Sequence, residues 1–527
     1  MKEQSRSGER DHDTMFTKLS RKTQPGPTDE GMGWPLRTSH RPCSYRLIIV
    51  FIVPAVVVLL FLLNSRDQEL QIGVLGVLSI IALYQVIRYA FREPRWYICA
   101  LMIEETVPYF NVIPVSPDSR WFLRYPLLFP LALPALWSTI KTGILFQGRF
   151  GLMVMYFVWS AVTVTYSLDP GVSMGRLVPD FLLFSTLCYV GSNIKSAEDV
   201  QQVLGRFVLA CGLLQSLTAV AYLFLPEVLG GTGETLRATW MVDERGLARF
   251  CGVFNEPNAV GSLMLATVGA GVAHWTAVRT GWRKVLLAST MVAGVFFAIA
   301  ADSRSETFVA IIGCTSYAIW RYRLKAFVTV ALFIVVACGC FYALKPEIQP
   351  YLNRGLDTMT GRTGAWDFEI AKAEANPFFG YGYQSEGEIL RDRHFNNWQN
   401  IWDRGAYTPL HNGYMTLIIG TGIPATIFWL SIFLGPWWLL IRGREDPWKL
   451  KPLVLLVILP ALLLALDESG LSEPRSVRGL LLYVSWTIAE RYQIVSQQTG
   501  PSAPEQRDAG REVRSSAAAE LQRLAHS

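Results

Sequence analysis

Long apolar runs separated by short polar stretches recur along most of the chain. A helix needs about 20 mostly apolar residues to cross a bilayer. The pattern predicts about 14 such helices, or about 12 if the weakest runs, such as the one broken by Glu104 and Glu105, are left out. The runs lie at roughly 46–63, 70–87, 96–112, 121–140, 150–166, 177–191, 206–225, 257–278, 285–301, 306–320, 326–344, 411–441, 452–467 and 476–492. We therefore expect an all-α integral membrane protein with one large loop on the outer side.

The distribution of Lys and Arg between the runs predicts the orientation. Short cytoplasmic loops collect basic residues, and alternate loops of this chain do so, at 88–95, 141–149, 279–284, 321–325 and 442–451. The short loops near 64–69 and 167–175 hold few basic residues. This alternation predicts that both termini lie in the cytoplasm.

The same pattern predicts a division of the chain into tails, helices and loops. The tails at 1–45 and 493–527 are polar, and we expect them to be disordered. The first of them lacks the early apolar stretch of a cleavable signal peptide. Between the tails we expect transmembrane helices at 46–344 and 411–492, a smaller outer loop with several Arg at about 227–256, and a large outer loop at 345–410.

Composition excludes a string of soluble domains. Hydrophobic residues make up 51% and charged residues 17% of the chain, against about 25% charged in soluble domains. The net charge of +6 is modest, and without a clustered basic face we expect no nucleic-acid partner. The eight cysteines lie mostly in apolar runs and lack zinc-site spacing. No nucleotide-binding motif occurs, so we expect neither a metal nor a cofactor.

The large outer loop is rich in aromatic residues. Aromatic rings beside polar groups suit sugar rings, and the alternative is that they form the loop's own core or an interfacial belt. Residues 363–376 are predicted to form a short helix, with Thr363 as N-cap and Pro377 after its end.

The large loop ends at a histidine next to an apolar helix. His411 lies near the predicted start of this helix, at the outer face. The helix dipole there disfavours imidazolium and favours anions, so a neutral His411 beside an anionic substrate is a candidate general base. The alternative is a histidine that only caps or packs.

The smaller outer loop contributes arginines. If its end is helical, Arg245 and Arg249 share one face, and two guanidiniums can bind a pyrophosphate. Arg304 lies at another predicted outer helix start, where Asp302 and Glu306 offer a local salt bridge as the alternative to a functional charge.

Five segments together resemble a known family. They are Arg245 to Asn258, Ser303-Arg304, Gly361 to Trp366, Asn376 to Gly382, and His411 to Tyr414. Their order, spacing and membrane placement resemble the O-antigen ligase and O-antigen polymerase superfamily of bacterial inner-membrane glycan transferases, over about 150–490.

The resemblance implies a metal- and nucleotide-independent glycosyltransferase in the bacterial inner membrane. Its donor would be an undecaprenyl-diphosphate-linked glycan, and its acceptor a glycan or lipid A-core sugar, at the periplasmic face among membrane lipids. By this resemblance, Arg249 first and Arg245 second bind the diphosphate, while His411 activates the acceptor hydroxyl or contacts the diphosphate. The further substrate-binding candidates are Arg304, Arg362, Asn258, Asn412, Trp366 and Tyr414.

Other functions remain open at this point. Within the family, a ligase and a polymerase differ only in acceptor, and a protein O-glycosylating relative is a third form. A polytopic transporter or flippase for a glycolipid is the alternative from another class, with Asp180, Asp302 and Asp467 as polar groups within or beside the spans. A scaffold for envelope assembly is the last alternative function. The distinctive residues gather at the outer face, which favours a transferase.

Overall fold

Helices dominate the part of the chain that the structure, a computed structural model, describes. That part comprises residues 88, 90, 92–106, 125–224, 240–242, 248–252, 254, 257–322, 362–385, 412–437, 448, 450–466 and 477–499. All of it belongs to one unit, Leu83–Ser527. The predicted spans at 46–63, 70–87 and 326–344 lie outside the described residues.

The helices follow the predicted apolar runs. In chain order they are α1 Tyr97–Thr106, α2 Tyr125–Thr142, α3 Gly148–Val164, α4 Pro170–Ser192, α5 Ala197–Phe224, α6 Pro257–Trp275, α7 Gly281–Ala300, α8 Arg304–Tyr322, α9 Arg362–Ala375, α10 Gly413–Leu434, α11 Lys451–Leu464 and α12 Val477–Thr499. Each of these except α9 overlaps a predicted span, which confirms the helical fold class.

Three helical stretches in the described part are long and apolar enough to cross a membrane. They are Ala197–Ala219, Gly281–Ala300 and Gly413–Leu434. The apolar helices α3 and α11 are shorter. The total number of spans therefore remains a prediction.

A two-stranded hairpin interrupts the helical pattern within the smaller outer loop. Strand β1, Trp240–Val242, pairs antiparallel with β2, Ala248–Phe250, and places Arg249 opposite Met241. The backbone of β2 is therefore hydrogen-bonded across the hairpin, not along a helix. Arg245 and Arg249 were expected to share one face if this segment were helical. Residues 248–250 form a strand, so this condition is wrong at Arg249.

The predicted short helix of the large loop is confirmed as α9. It begins at Arg362 and ends at Ala375, shortly before Pro377. Thr363 is thus the second residue of the helix and not its N-cap, which corrects the predicted start by one residue.

Buried aromatic rings hold α3, α10 and α12 together. Phe433 of α10 lies 5.0 Å from Tyr483 and 5.5 Å from Trp486 of α12, between ring centroids. Phe150 of α3 lies 5.3 Å from Trp486. Large buried rings contribute much of the packing energy in such a core, so the second half of α10 has a fixed place.

Glycines let α6 and α8 approach the carbonyl groups and side chains of α11. A methyl group on Gly269 would lie 2.7 Å from the carbonyl oxygen of Leu456, and one on Gly313 would lie 2.6 Å from Pro460. Small residues at helix interfaces allow this close packing. Further along the same helices a buried cluster is formed by Leu265, Val309 and Leu464. Both α6 and α8 therefore run antiparallel to α11.

Candidate active site at three helix starts

The starts of α6 and α8 are joined directly. The hydroxyl of Ser303 donates a 3.1 Å hydrogen bond to the carbonyl oxygen of Pro257, the first residue of α6. Gly261 makes the approach possible, since a methyl group there would lie 2.5 Å from the Cβ of Ser303. The two helix starts therefore lie side by side.

The start of α10 is tied to the end of α11. Asn412 is its N-cap, and its side-chain oxygen accepts hydrogen bonds from the backbone N–H groups of Tyr414 (3.0 Å) and Met415 (3.2 Å). The N–H of Gly413 donates to the carbonyl oxygen of Ala465 at 2.8 Å. The hydroxyl of Tyr414 donates to the carbonyl oxygen of Leu462 at 2.6 Å. Asn412 and Tyr414 thus fix the position of this helix start.

These contacts bring three helix starts to one end of the helix group. Because Val309 packs against Leu464 and Gly313 against Pro460, the first turn of α8 points toward the Ala465 end of α11. The starts of α6, α8 and α10 therefore lie at the same end. Helix starts present backbone N–H groups and the positive end of the dipole, which suits a phosphate or another anion.

A buried turn connects β2 to α6. Phe250 and Phe254 are buried, and the ring of Phe250 lies 5.4 Å from that of Phe297 in α7. Gly252 has a φ of +62°, and a methyl group on it would lie 2.5 Å from the side chain of Thr218. This turn fixes the backbone directly after Arg249, the first diphosphate-binding candidate.

Arg304, the first residue of α8, forms an ion pair with Asp302. Its Nε lies 2.9 Å and its Nη2 3.3 Å from the two carboxylate oxygens. The predicted local salt bridge is therefore present. The side chains are 42% and 34% exposed, and such exposed pairs contribute little stability. This pair by itself therefore adds little to the stability of the helix start.

Some of the other predicted site residues lie in the helices, and others lie outside the described residues. Asn258 is the second residue of α6, where its carbonyl oxygen accepts a 2.9 Å hydrogen bond from Ser262. The backbones of Arg362 and Trp366 lie in α9. His411 and Arg245 lie outside the described residues. Within the described part of the chain, no three His, Cys, Asp or Glu form a group suited to a metal ion.

The structure also shows a feature that the sequence did not reveal, a backbone segment inserted into a break in α10. We call residues 376–385 the docking segment. Gly422 has a φ of +84° and breaks the helix. Around this break, three backbone hydrogen bonds join the docking segment to α10: Tyr381 N–H to Ile419 (2.7 Å), Gly382 N–H to Gly420 (3.0 Å), and Ile423 N–H to Pro377 (2.8 Å).

The docking segment is also anchored by Asp180 of α4. The fully buried Asp180 carboxylate accepts hydrogen bonds from the Tyr383 hydroxyl (2.7 Å) and the Gln384 side-chain amide (3.0 Å). The backbone N–H of Tyr383 donates to Thr163 of α3 at 3.0 Å. Burial raises the pKa of Tyr383 well above that of a free phenol, so its hydroxyl stays a donor. In the sequence, Gly380 and Gly382 were the signal that this segment packs closely against its neighbours.

Comparison with known proteins shows a similarity over part of the chain. Residues 289–430 match the O-antigen ligase family. The matched stretch contains α8, α9, the docking segment, His411 and most of α10. No curated protein matches the chain. The family match confirms the resemblance found in the sequence, and over these residues the chain is similar to the O-antigen ligase family.

Proposed function

We propose that this protein transfers a glycan from undecaprenyl diphosphate to an acceptor sugar at the periplasmic face of the bacterial inner membrane. The family match and the apolar helices already indicate an integral membrane glycosyltransferase of the O-antigen ligase or polymerase type. The observation that carries the finer proposal is the gathering of the starts of α6, α8 and α10 at one end.

The distribution of charge supports the periplasmic assignment of that end. Basic residues lie at the opposite ends of the same helix group, with Arg321 in the last turn of α8 and Lys451 at the start of α11. Cytoplasmic helix ends collect Lys and Arg. The three gathered starts then face the periplasm, and both chain termini lie in the cytoplasm.

The donor's diphosphate is the anion that fits the gathered starts. The backbone N–H groups and dipoles of the helix starts attract it, and arginines add charge-assisted hydrogen bonds. We assign this role to Arg249 first, with Arg245 and Arg304 beside it. Strand β2 and the buried turn after it support the assignment, because Arg249 is paired within the hairpin and the next residue, Phe250, packs against Phe297 near the end of α7.

The reaction is an inverting displacement at the anomeric carbon. The acceptor hydroxyl oxygen forms the new glycosidic bond while the bond from the anomeric carbon to the diphosphate oxygen breaks. His411, one residue before the N-cap Asn412, takes the proton of the acceptor hydroxyl. The arginines offset the charge that develops on the leaving diphosphate, so neither a nucleotide nor a metal is required.

The remaining candidates divide into two roles. Asn412 and Tyr414 hold the start of α10 through their hydrogen bonds, which supports a role in placing His411. Arg362 and Trp366 of α9 and Asn258 of α6 are assigned to glycan contacts, for which Trp offers an apolar face and Arg and Asn offer hydrogen bonds.

Purified protein in detergent, incubated with undecaprenyl-diphosphate-linked oligosaccharide, tests the proposal. The reaction is run with and without lipid A-core and resolved on a gel. A ladder without added acceptor identifies a polymerase, and a shift that requires lipid A-core identifies a ligase. Absence of product in both reactions, with folded protein and a donor from the matching host, would contradict the transferase proposal.

The transporter or flippase remains the second candidate, and Asp180 bears on it. This buried carboxylate accepts hydrogen bonds from two donors of the docking segment, which supports a structural role for Asp180 over a place in an ion pathway. A transferase makes product in detergent, whereas transport requires a sealed vesicle. Movement of labelled glycolipid across vesicles without any transfer product would favour the transporter.

A further inference from the structure

A helix broken inside a membrane protein leaves backbone groups that must find other partners. Non-helical backbone within the bilayer is tolerated only where protein or water forms hydrogen bonds with its polar groups. In α10 the break at Gly422 frees the carbonyl oxygen of Ile419, and Pro424 has no N–H to donate to the carbonyl oxygen of Gly420. The docking segment supplies the N–H groups of Tyr381 and Gly382 to these two oxygens. The path of α10 on either side of the break therefore depends on where the docking segment lies.

The two halves of α10 have different supports. The second half, after Gly422, is held by the aromatic core around Phe433. The first half runs from the N-cap Asn412 to the break. It is held by Ala465 and Leu462 at its start and by the docking segment at its end. The first half of α10 therefore depends on α11 at its start and on the docking segment at its end, and a shift of the docking segment would loosen it.

Asp180 holds the docking segment at the two residues that directly follow those bound by α10. Its carboxylate receives both the Tyr383 hydroxyl and the Gln384 amide. Arg176, one helical turn earlier on α4, donates to the carbonyl oxygen of Gln384. Gln384 has a φ of +49°, a conformation that costs energy for a residue other than glycine and persists only when its surroundings fix it. Three polar contacts from α4 thus converge on two consecutive residues.

We propose that Asp180 is a positioning residue for the transfer reaction. Through Tyr383 and Gln384 it holds the docking segment in the break of α10, and through that break it supports the first half of α10 and so the transfer reaction. The last step rests on the function proposed above, whereas the hold on the docking segment does not. Asp180 acts here as a hydrogen-bond acceptor, and its negative charge is not itself required at the reacting atoms.

Three variants in α4 test this role. Asp180→Ala removes the acceptor, and Asp180→Asn keeps an acceptor oxygen while it removes the charge. Thr186→Val is the matched control, because Thr186 is equally buried and its hydroxyl donates to Leu182 within α4. Each variant is measured by hydrogen exchange of residues 376–385 and 413–423 in detergent, and by the kcat and KM of glycan transfer.

If Asp180 holds the docking segment, the three variants should give a specific combination of results. Asp180→Ala should speed amide exchange in both regions and lower kcat by about 10–100-fold, as expected for a displaced catalytic group, with the KM for the donor unchanged. Asp180→Asn should restore most of the kcat and the slow exchange. The control should match the wild type.

Other outcomes would contradict this role of Asp180. Unchanged exchange in Asp180→Ala would show that the carboxylate does not hold the docking segment, even if the wild type proved to have no transferase activity. An Asp180→Asn variant as inactive as Asp180→Ala would show that the charge itself matters. Should Asp180→Ala fail to fold, Tyr383→Phe removes one of the two donors, and wild-type exchange and kcat in that variant would contradict the proposal.

Discussion

The hydroxyl of Ser303 donates a hydrogen bond to the carbonyl oxygen of Pro257 at 3.1 Å, so that the starts of α8 and α6 touch. This contact depends on Gly261, the residue one turn into α6 that leaves room for Ser303. It places the two helix starts where their N–H groups can act on one anion.

Gly261→Ala should separate these helix starts. The added methyl group would lie 2.5 Å from the Cβ and Oγ of Ser303, and overpacking of this kind costs about 1–3 kcal/mol. We expect a lower unfolding temperature in detergent and weaker transfer. Gly175→Ala is the matched control, because nothing lies within 4 Å of its added methyl group. Equal effects of the two substitutions would contradict the prediction.

Gly422→Ala should be among the most damaging substitutions in α10. The residue has a φ of +84°, and its methyl group would lie 2.0 Å from the carbonyl oxygen of Phe378. We expect a cost of about 2–5 kcal/mol, measured by thermal unfolding. Gly420→Ala provides the comparison, since its methyl group meets its nearest neighbours at 3.4 Å and should change stability by no more than about 1 kcal/mol. A tolerated Gly422→Ala would show that the helix break is not required.

Arg304 and Asp302 form an ion pair, but only Arg304 should affect binding of the diphosphate-linked donor. The pair is partly exposed, so its loss should change stability by less than about 1 kcal/mol. Arg304→Ala should nevertheless raise the KM for the diphosphate-linked donor, because the guanidinium is assigned to the diphosphate. Asp302→Asn should leave that KM near the wild-type value, and asparagine tolerates the positive φ of 51° at this position. An unchanged KM in Arg304→Ala would remove Arg304 from the site.

His411→Ala should abolish transfer without loss of protein. The expected reduction in kcat is about 100-fold or more, typical of a lost general base. His274→Ala is the control, since His274 lies in the last turn of α6 and contacts Gln201 at 3.0 Å, away from the gathered helix starts. Near-wild-type transfer by His411→Ala, at equal expression, would refute its assignment.

Local patterns in the sequence predicted the helical elements well. Apolar runs located α1 to α8 and α10 to α12, and the helix before Pro377 was placed within one residue of its observed bounds. The family motifs pointed to the stretch that includes α8, α9 and the start of α10, and the family match covers it. These features depend on residues close together in the chain, where hydrophobic run length and turn-forming residues are informative.

Local patterns failed where distant residues decide the conformation. Residues 248–250 form a strand because 240–242 lie opposite them, and the segment before Phe250 shows no strong period of its own. The break in α10 falls inside an apolar run that reads as a continuous helix, and only the docking segment makes the conformation at Gly422 favourable.

The sequence by itself determined the helical membrane fold, the resemblance to the O-antigen ligase family and the residue types of the candidate chemistry. Only the tertiary structure decided which helix starts meet and that Asp180 contacts Tyr383 across 203 residues. The physical reason is that apolar run length follows from the thickness of the bilayer and can be read locally. Contacts between helices depend instead on how several side-chain surfaces fit together in three dimensions, and no single stretch of sequence contains that information.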